Sequence, residues 1–303
     1  MTKRLIFVLT VVISMFYSTL SAGETIRILA IGNSFSEDAV ENYLHSIGKA
    51  DDVTLIIGNM YIGGCSLETH WNNAKNNAGA YSYRKINDLG VKTTTANYTI
   101  SQALADESWD YISFQQVSQS SGMYNTYFPY LTNLLAYVKE KATNPNVKYA
   151  LHMTWAYAKT STHTGFINYG KDQITMYNAI VDAANEAAET VGIDIVIPSG
   201  TAIQNGRTSY IGDNFCRDGY HLNLDYGRYT AACTWYEKLT GKSVIGNTYR
   251  PANILPDYIT IAQKAAHAAV ENPLVITDLS EDTSLPDPVT FNLTAPVNVD
   301  FGN

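Results

Sequence analysis

Three residues of the 303-residue chain have the types and spacing needed for acyl transfer through a serine nucleophile. Ser34 follows an apolar run and the turn residue Gly32, while Asp218 and His221 lie together far along the chain in the segment DGYH. A carboxylate three residues before a histidine, with Gly219 between them, can fold so that both side chains face the same way. The sequence therefore predicts Ser34 as nucleophile, His221 as base and Asp218 as the acid that orients the base. The alternative for the DGYH pair is a capping Asp and a surface His.

The segment around Ser34 places that serine at the edge of a sheet. The preceding run, IRILAI, is short and apolar, as expected of a central strand in a parallel sheet. A helix beginning here would present free backbone N–H groups and the positive end of its dipole to the serine. Open α/β sheets place their sites at this carboxyl edge. The alternative is an ordinary strand–turn–helix in which the serine only caps the helix.

Apolar segments and helical segments alternate along the rest of the chain. This alternation predicts a doubly wound α/β sheet with right-handed crossovers, in one domain. After the first strand, the predicted strands are 53–63, 109–116, 147–157 and 193–200, and the predicted helices are 37–50, 126–142, 170–192, the later part of 217–241 and 258–272.

Two stretches fall outside this alternation. Residues 68–108 are polar and rich in Asn, Tyr and Thr, which predicts an insertion, partly helical at 97–106, that helps to wall the site. Residues 273–303 form a C-terminal tail in which VTFNLTAPVNVDF could form an edge strand. The domain itself is predicted to span residues 23–272.

The first 22 residues have the pattern of a secretory signal peptide. Lys3 and Arg4 precede the apolar run LIFVLTVVISMF, which is too short to span a membrane comfortably, and small residues follow it. We expect cleavage near Ser21–Gly23 and a mature chain that is secreted or periplasmic, with no further association with a membrane. The alternative is an uncleaved anchor.

Composition narrows the classes of partner. The net charge of −8 and the pI near 5.2 leave no basic stripe to neutralise phosphates, so we predict no nucleic-acid partner. The 22 tyrosines, with many Asn, Ser and Thr residues, suit surfaces that hydrogen bond and stack, as carbohydrate-binding proteins have. Tyrosines are also common in β-sheets, so this indication of carbohydrate binding is weak.

Three cysteines, Cys65, Cys216 and Cys233, could form one disulfide in an oxidising compartment. Cys65 and Cys216 flank the segments expected to meet at the site and are the predicted pair. The alternative is three buried thiols. Their spacing is not that of a zinc site, and we predict neither a metal nor a cofactor.

Together these motifs resemble the SGNH (GDSL-type) hydrolase superfamily. GNSFS at 32–36, the turn at Gly63-Gly64 and DGYH at 218–221 look like its blocks I, II and V in order and spacing, over roughly residues 25–240. The segments QQVSQSS and GGCSLETHW are similar to a secreted Bacteroidetes-type branch of uncharacterised function. The resemblance implies a flavodoxin-like three-layer α/β/α sandwich around a mainly parallel five-stranded sheet. It also implies that Gly64 N–H joins Ser34 N–H in an oxyanion hole.

Block III of the superfamily, Gly-x-Asn-Asp, is absent. The corresponding strand end reads FQQVSQ, and a glutamine amide can donate a hydrogen bond as asparagine does. We predict that Gln115 or Gln116 completes the oxyanion hole, and strand register alone leaves Gln119 open.

The expected function is hydrolysis of an ester on a carbohydrate, most simply deacetylation of a glycan, with a glycan or other small ester as the partner. His70, Trp71 and Trp155 are predicted to form part of a sugar-binding surface. His152 and His163 are rival bases, but neither has a carboxylate nearby in a defined motif. The alternatives are a methylesterase or lipase-type esterase, and a carbohydrate-binding or scaffolding protein that keeps the fold without turnover.

Overall fold

A computed structural model describes residues 23–281, and the predicted signal peptide and most of the predicted tail lie outside them. Seven strands form one sheet in the described part of the chain. These strands are β1 (Glu24–Gly32), β2 (Val53–Tyr61), β3 (Tyr81–Ile86), β4 (Lys92–Tyr98), β5 (Tyr111–Phe114), β6 (Lys148–His152) and β7 (Ile195–Ile197). Their order across the sheet is β4-β3-β2-β1-β5-β6-β7.

Helices flank the sheet, as the alternating pattern predicts. They are α1 (Ser34–Val40), α2 (Leu44–Ala50), α3 (Leu67–Lys75), α4 (Ile100–Asp106), α5 (Tyr130–Lys141), α6 (Gln173–Val191), α7 (Ser199–Thr208), α8 (Tyr226–Thr240) and α9 (Pro256–Glu271). Helices α3, α4 and α5 pack together, and α1, α2, α7, α8 and α9 form a second group. The predicted α/β class with a mainly parallel central sheet is confirmed. Within residues 23–281, none of the helices has the length and apolar character needed to cross a membrane.

Strand β1 is the centre of the parallel part of the sheet. It pairs in parallel with β2 on one side and with β5 on the other, so that Ile28 lies beside both Ile57 and Tyr111. Its residues from Ile28 onward are buried. Since both faces of β1 are covered, its nearly continuous apolar sequence is the pattern that such a strand requires.

The prediction of five strands is wrong, because the segment 68–108 adds two more. Strand β3 pairs antiparallel with β2, and β4 pairs antiparallel with β3 at the edge of the sheet. In β3, Tyr81, Tyr83 and Ile86 are buried, whereas β4 is almost wholly exposed. Polar composition concealed this hairpin, because an edge strand with one open face contains few apolar residues.

Strands β6 and β7 end at least three residues before their predicted ends. Strand β6 ends at His152, so that residues 153–157 form buried irregular chain rather than the end of a strand. Helix α7 begins at Ser199, directly after β7, where a strand was predicted to continue. Both segments are buried, so their apolar residues do not distinguish a strand from a buried helix or loop.

A buried carboxylate holds the 216–222 loop against α1. Asp38 is 1% exposed and accepts hydrogen bonds from Arg217 Nη1 at 3.1 and 3.2 Å, Arg228 Nε at 2.7 Å and the N–H of Leu222 at 2.8 Å. Arg217 and Leu222 lie at the two ends of the segment that contains Asp218 and His221. Asp38 therefore fixes this segment relative to the helix that begins with Ser34.

We expect Asp38→Asn to lower the free energy of unfolding by about 3 kcal/mol, since breaking a buried ion pair leaves its partners uncompensated. The measurement is urea denaturation followed by circular dichroism. Glu140→Gln is the control, because Glu140 is 75% exposed and should change stability by less than about 0.5 kcal/mol. Equal stability of the two variants would contradict the role given to Asp38.

Candidate active site

Ser34, His221 and Asp218 form one hydrogen-bonded chain at the carboxyl end of β1. Ser34 Oγ lies 2.8 Å from His221 Nε2, and His221 Nδ1 lies 2.7 Å from Asp218 Oδ2. The carboxylate at Nδ1 favours the tautomer in which that nitrogen carries the proton and Nε2 accepts from the serine hydroxyl. This is the arrangement of a nucleophile, a base and an orienting acid.

Asp218 is held by the backbone of its own loop. Its Oδ1 accepts hydrogen bonds from the N–H groups of Tyr220 at 3.2 Å and His221 at 2.8 Å. Burial alone would raise the pKa of Asp218, but the hydrogen bonds from His221 and the backbone outweigh it and lower the pKa. Gly219 has φ +92°, which favours glycine, and an added Cβ would lie 3.0 Å from Ser161.

Asn33 connects the serine turn to the second glycine turn, a role that its sequence motif did not predict. Its Oδ1 accepts from the N–H of Phe35 at 2.9 Å and so caps α1, while its Nδ2 donates to the carbonyl of Cys65 at 3.0 Å. The available signal was an asparagine directly before a helix start, which is a favoured capping residue. Through Asn33 the two turns are held in one fixed geometry.

The prediction that Gln115 or Gln116 donates to an oxyanion is wrong, because both amides are buried and already bonded. Gln115 Nε2 donates to Asn33 Oδ1 at 2.6 Å, and its Oε1 lies 3.0 Å from His152 Nδ1. Gln116 Nε2 donates to the carbonyl of Thr126 at 2.8 Å. Gln115 therefore supports the asparagine that caps the serine helix, and Gln116 fixes the chain after β5.

Gln119, which strand register left open, does line the cleft beside Ser34. Its side-chain nitrogen has no acceptor among the described residues and is not buried. Gly64 lines the same cleft with φ +63°, and an added Cβ there would meet no atom within 4 Å. The N–H groups of Ser34 and Gly64 also have no acceptor in the described part of the chain. Three donors thus border the cleft that contains the serine hydroxyl.

The cleft has a volume of about 370 Å³ and mixes aromatic, polar and charged side chains. It is lined by Asn33, Ser34, Phe35, Glu37, Tyr61, Gly63, Gly64, Val117, Ser118, Gln119, His163, Arg217, Tyr220 and His221. Other surface clefts lie at the amino ends of β1 and β2, around residues 23–24 and 51–54, away from the serine. The carboxyl edge of a parallel sheet is where such folds bind ligands, and the serine cleft is at that edge.

The structure does not place His70, Trp71 or Trp155 in the cleft. His70 is fully buried, its Nδ1 is 2.9 Å from the hydroxyl of Tyr81, and burial lowers its pKa to about 3. Trp71 is half-buried and packs against the hydrophobic core. A helix in place of the expected loop accounts for both positions, because α3 turns these side chains toward β3 and the core.

Trp155 packs against residues that line the cleft, without lining it itself. Its ring stacks on Phe35 with 4.4 Å between centroids, and its Nε1 donates to the carbonyl of Tyr220 at 2.7 Å. Phe35 in turn lies 5.9 Å from the ring of His221. The tryptophan therefore packs beneath the residues that carry the candidate base.

Neither rival histidine reaches the serine hydroxyl. His152 is buried between Gln115 and Ser199, and burial lowers its pKa to about 3. His163 lines the cleft, where its Nδ1 accepts from the N–H of Gly165 at 3.1 Å, and burial with the nearby His221 lowers its pKa. His163 therefore lines the cleft without contacting the serine hydroxyl.

The predicted Cys65–Cys216 disulfide is absent, and all three cysteines are free thiols. Cys65 Sγ lies 3.5 Å from His70 Nδ1, whereas Cys216 Sγ accepts from Arg207 Nη2 at 3.3 Å. The two thiols face different partners, and burial raises the pKa of Cys65 to about 12. The alternative of three buried thiols is closer to the structure, in which Cys65 and Cys233 are buried and Cys216 is half-buried.

One group in residues 23–281 brings three metal-ligating atoms within 4.8 Å of one another. It consists of Glu237 of α8 with His267 and Glu271 of α9. His267 Nδ1 lies 2.6 Å from Glu237 Oε1, so that this pair is already bonded without a metal. None of the three residues lines the serine cleft.

A comparison with solved structures gives a strong likeness. A DUF4886 family protein from Bacteroides uniformis is 55% identical, with 85% of this chain and 99% of that chain covered and a TM-score of 0.84. A candidate SGNH hydrolase from Slackia heliotrinireducens is 20% identical, covers 71% of this chain and all of its own, and has a TM-score of 0.49.

An acetylxylan esterase from Geobacillus stearothermophilus is 12% identical, with 72% of this chain and 95% of that chain covered and a TM-score of 0.45. These two distant likenesses carry no statement about activity. No curated protein matches the chain. The family profile described as "Domain of unknown function (DUF4886)" matches residues 27–269, and the chain therefore belongs to the DUF4886 family.

Proposed function

We propose that this protein is a serine esterase that hydrolyses its substrate through an acyl-enzyme on Ser34. The observation that carries the proposal is the continuous chain from Ser34 Oγ to His221 Nε2 at 2.8 Å and from His221 Nδ1 to Asp218 Oδ2 at 2.7 Å. A serine with only a capping role would not need a histidine at hydrogen-bond distance from its hydroxyl, oriented by a carboxylate.

Acylation begins when His221 Nε2 takes the hydroxyl proton and Ser34 Oγ attacks the ester carbonyl carbon. The carbonyl π electrons move to oxygen and give a tetrahedral oxyanion. As this intermediate collapses, the bond to the alcohol oxygen breaks, and His221 gives its proton to that leaving oxygen. Asp218 holds the ring orientation and stabilises the imidazolium that exists between the two transfers.

Deacylation repeats these steps with water. His221 takes a proton from a water molecule, whose oxygen attacks the acyl carbon bound to Ser34. The second tetrahedral intermediate breaks the bond to Oγ, releases the carboxylic acid and returns the proton to the serine. The protein is then unchanged, and one ester and one water have become an alcohol and an acid.

The oxyanion is stabilised by the N–H groups of Ser34 and Gly64, with the amide of Gln119 as the third donor. All three border the same cleft and lack acceptors among the described residues. Gln119 thus takes the role that block III asparagine has in the superfamily which the sequence resembles. Fixed donors are effective here because they need no reorganisation as charge develops.

The proposed substrate is an ester on a carbohydrate, most simply an acetyl ester on a glycan, met outside the cell or in a periplasm. Support comes from a cleft walled by Tyr61, Tyr220 and His163 with polar side chains between them. Rings and hydrogen-bonding groups together suit a sugar, which presents apolar ring faces and hydroxyl groups. A long acyl chain would instead require an extended apolar wall.

Ser34→Ala should lower the rate of 4-nitrophenyl acetate hydrolysis by at least about 10³-fold, because the nucleophile is removed. Release of 4-nitrophenol by the purified variant and wild type gives the comparison. Ser243→Ala, at an exposed serine, is the control and should keep the wild-type rate. Equal rates for Ser34→Ala and wild type would instead favour a carbohydrate-binding protein without turnover.

Gln119→Leu should lower kcat by about 10²-fold while the protein stays folded, since one oxyanion donor is lost. Gln116→Leu is the contrasting variant, because the buried amide of Gln116 bonds the backbone of Leu67 and Thr126 and its loss should lower the melting temperature. Initial rates and thermal melts of both variants provide the test. A kcat within twofold of wild type for Gln119→Leu would remove Gln119 from the oxyanion hole.

The lowered pKa of Asp218 predicts how Asp218→Asn changes stability with pH. The ionised carboxylate stabilises the fold above the usual Asp pKa of about 3.9, and this contribution is lost as pH falls through the lower folded value. The gap in melting temperature between wild type and variant should therefore not shrink between about pH 8 and 5 and should shrink below about pH 4. A gap that closes by pH 5 would contradict the lowered pKa.

A further inference from the structure

Arg217 is the cationic side chain that lines the serine cleft in the described part of the chain. It directly precedes Asp218 and borders the same cleft as Ser34 and His221, and 31% of its side chain is exposed. Neither the proposed acylation nor the deacylation uses it. Its presence beside the nucleophile therefore requires a separate explanation.

Within the described part of the chain, a single nitrogen of the Arg217 guanidinium has acceptors. Nη1 donates to both carboxylate oxygens of Asp38, at 3.2 and 3.1 Å, and to the carbonyl of Leu222. Nε and Nη2 have no acceptor among residues 23–281. These two nitrogens form one edge of the planar guanidinium and can donate two parallel hydrogen bonds to a carboxylate. The Asp38 contact thus fixes the guanidinium and leaves its bidentate edge unused.

The carboxylates near Arg217 are shared with, or bonded to, other groups. Asp38 is shared between Arg217 and Arg228, so that a single carboxylate faces two guanidinium groups. Glu37, the acidic residue that lines the cleft, is paired with Arg84 at 3.1 Å. Glu41 pairs with Arg84 and Lys92, so that Glu37 and Glu41 together balance the charges of these two cations. Asp218 is bonded to His221 and does not line the cleft.

We propose that Arg217 binds a carboxylate on the substrate, so that the ester hydrolysed at Ser34 is carried by an acidic sugar such as a uronic acid unit. Arg217 and Ser34 line one cleft of about 370 Å³, which has room for an ester and a carboxylate on one sugar or on neighbouring sugars. The inference rests on the proposed esterase function and names its substrate class.

The test compares two substrates that differ in one group. Methyl 2-O-acetyl-α-galacturonoside has a carboxylate where methyl 2-O-acetyl-α-galactoside has a hydroxymethyl group. We expect kcat/KM to be about 10- to 100-fold higher for the acidic substrate, the range given by hydrogen bonds to a charged group. Equal values for the two substrates would overturn the inference while leaving the esterase proposal intact.

Arg217→Lys keeps the charge beside Asp38 and removes the planar edge, so it should reduce the preference for the acidic substrate at least fivefold. Arg228→Lys is the matched control, because Arg228 pairs with Asp38 from outside the cleft lining and should leave the preference unchanged. Loss of the preference in both variants, or in neither, would overturn the role of Arg217.

A binding measurement separates failure of this inference from failure of the esterase proposal. Calorimetry of Ser34→Ala with methyl α-galacturonoside and methyl α-galactoside needs no turnover. Tighter binding of the acidic sugar that Arg217→Lys abolishes would support the inference even if wild type hydrolyses neither ester. Binding of neither sugar would overturn the assignment of a carboxylate site. Displacement of the acidic sugar by an equal concentration of sulfate would also overturn it.

Discussion

The hydrogen-bonded ion pair between Asp38 and the 216–222 loop is the constraint on which the site depends. Ser34 and Asp38 belong to the same short helix, one turn apart, while His221 belongs to a loop more than 180 residues later. The loop itself has little regular structure, apart from a bridge between Cys216 and Leu222. Because Asp38 is buried and binds both ends of the loop, the loop that carries His221 cannot move away from Ser34 without exposing or unpairing that carboxylate.

A second network fixes the other side of the serine. His152, Gln115 and Asn33 are bonded in sequence, and Asn33 then binds both the first turn of α1 and the turn after β2. These groups are buried and mutually satisfied, which makes the arrangement rigid. The glutamines after β5 therefore support the donors instead of acting as donors. The cleft residue Gln119, four positions beyond Gln115, keeps a side-chain nitrogen that has no acceptor among the described residues.

Most of the parallel sheet could be predicted from the sequence. The three residues of the hydrogen-bonded chain could be predicted from their motifs. Continuous apolar runs such as β1 mark strands buried on both faces, and DGYH combines a carboxylate and a histidine in one short turn. The β3–β4 hairpin was missed because exposed edge strands need few apolar residues. The orientations of Gln115, Trp155 and Cys65 depend on register and packing partners distant in sequence, so residue type alone could not give them.

The most direct test of the central claim is peptide mass spectrometry after reaction with a fluorophosphonate, which reacts covalently with activated serine hydroxyls. The account predicts a single adduct on the peptide that contains Ser34, and no adduct there in His221→Ala, because the hydroxyl is activated by that histidine. Absence of an adduct on Ser34 in the folded wild-type protein, or equal labelling in His221→Ala, would contradict the account.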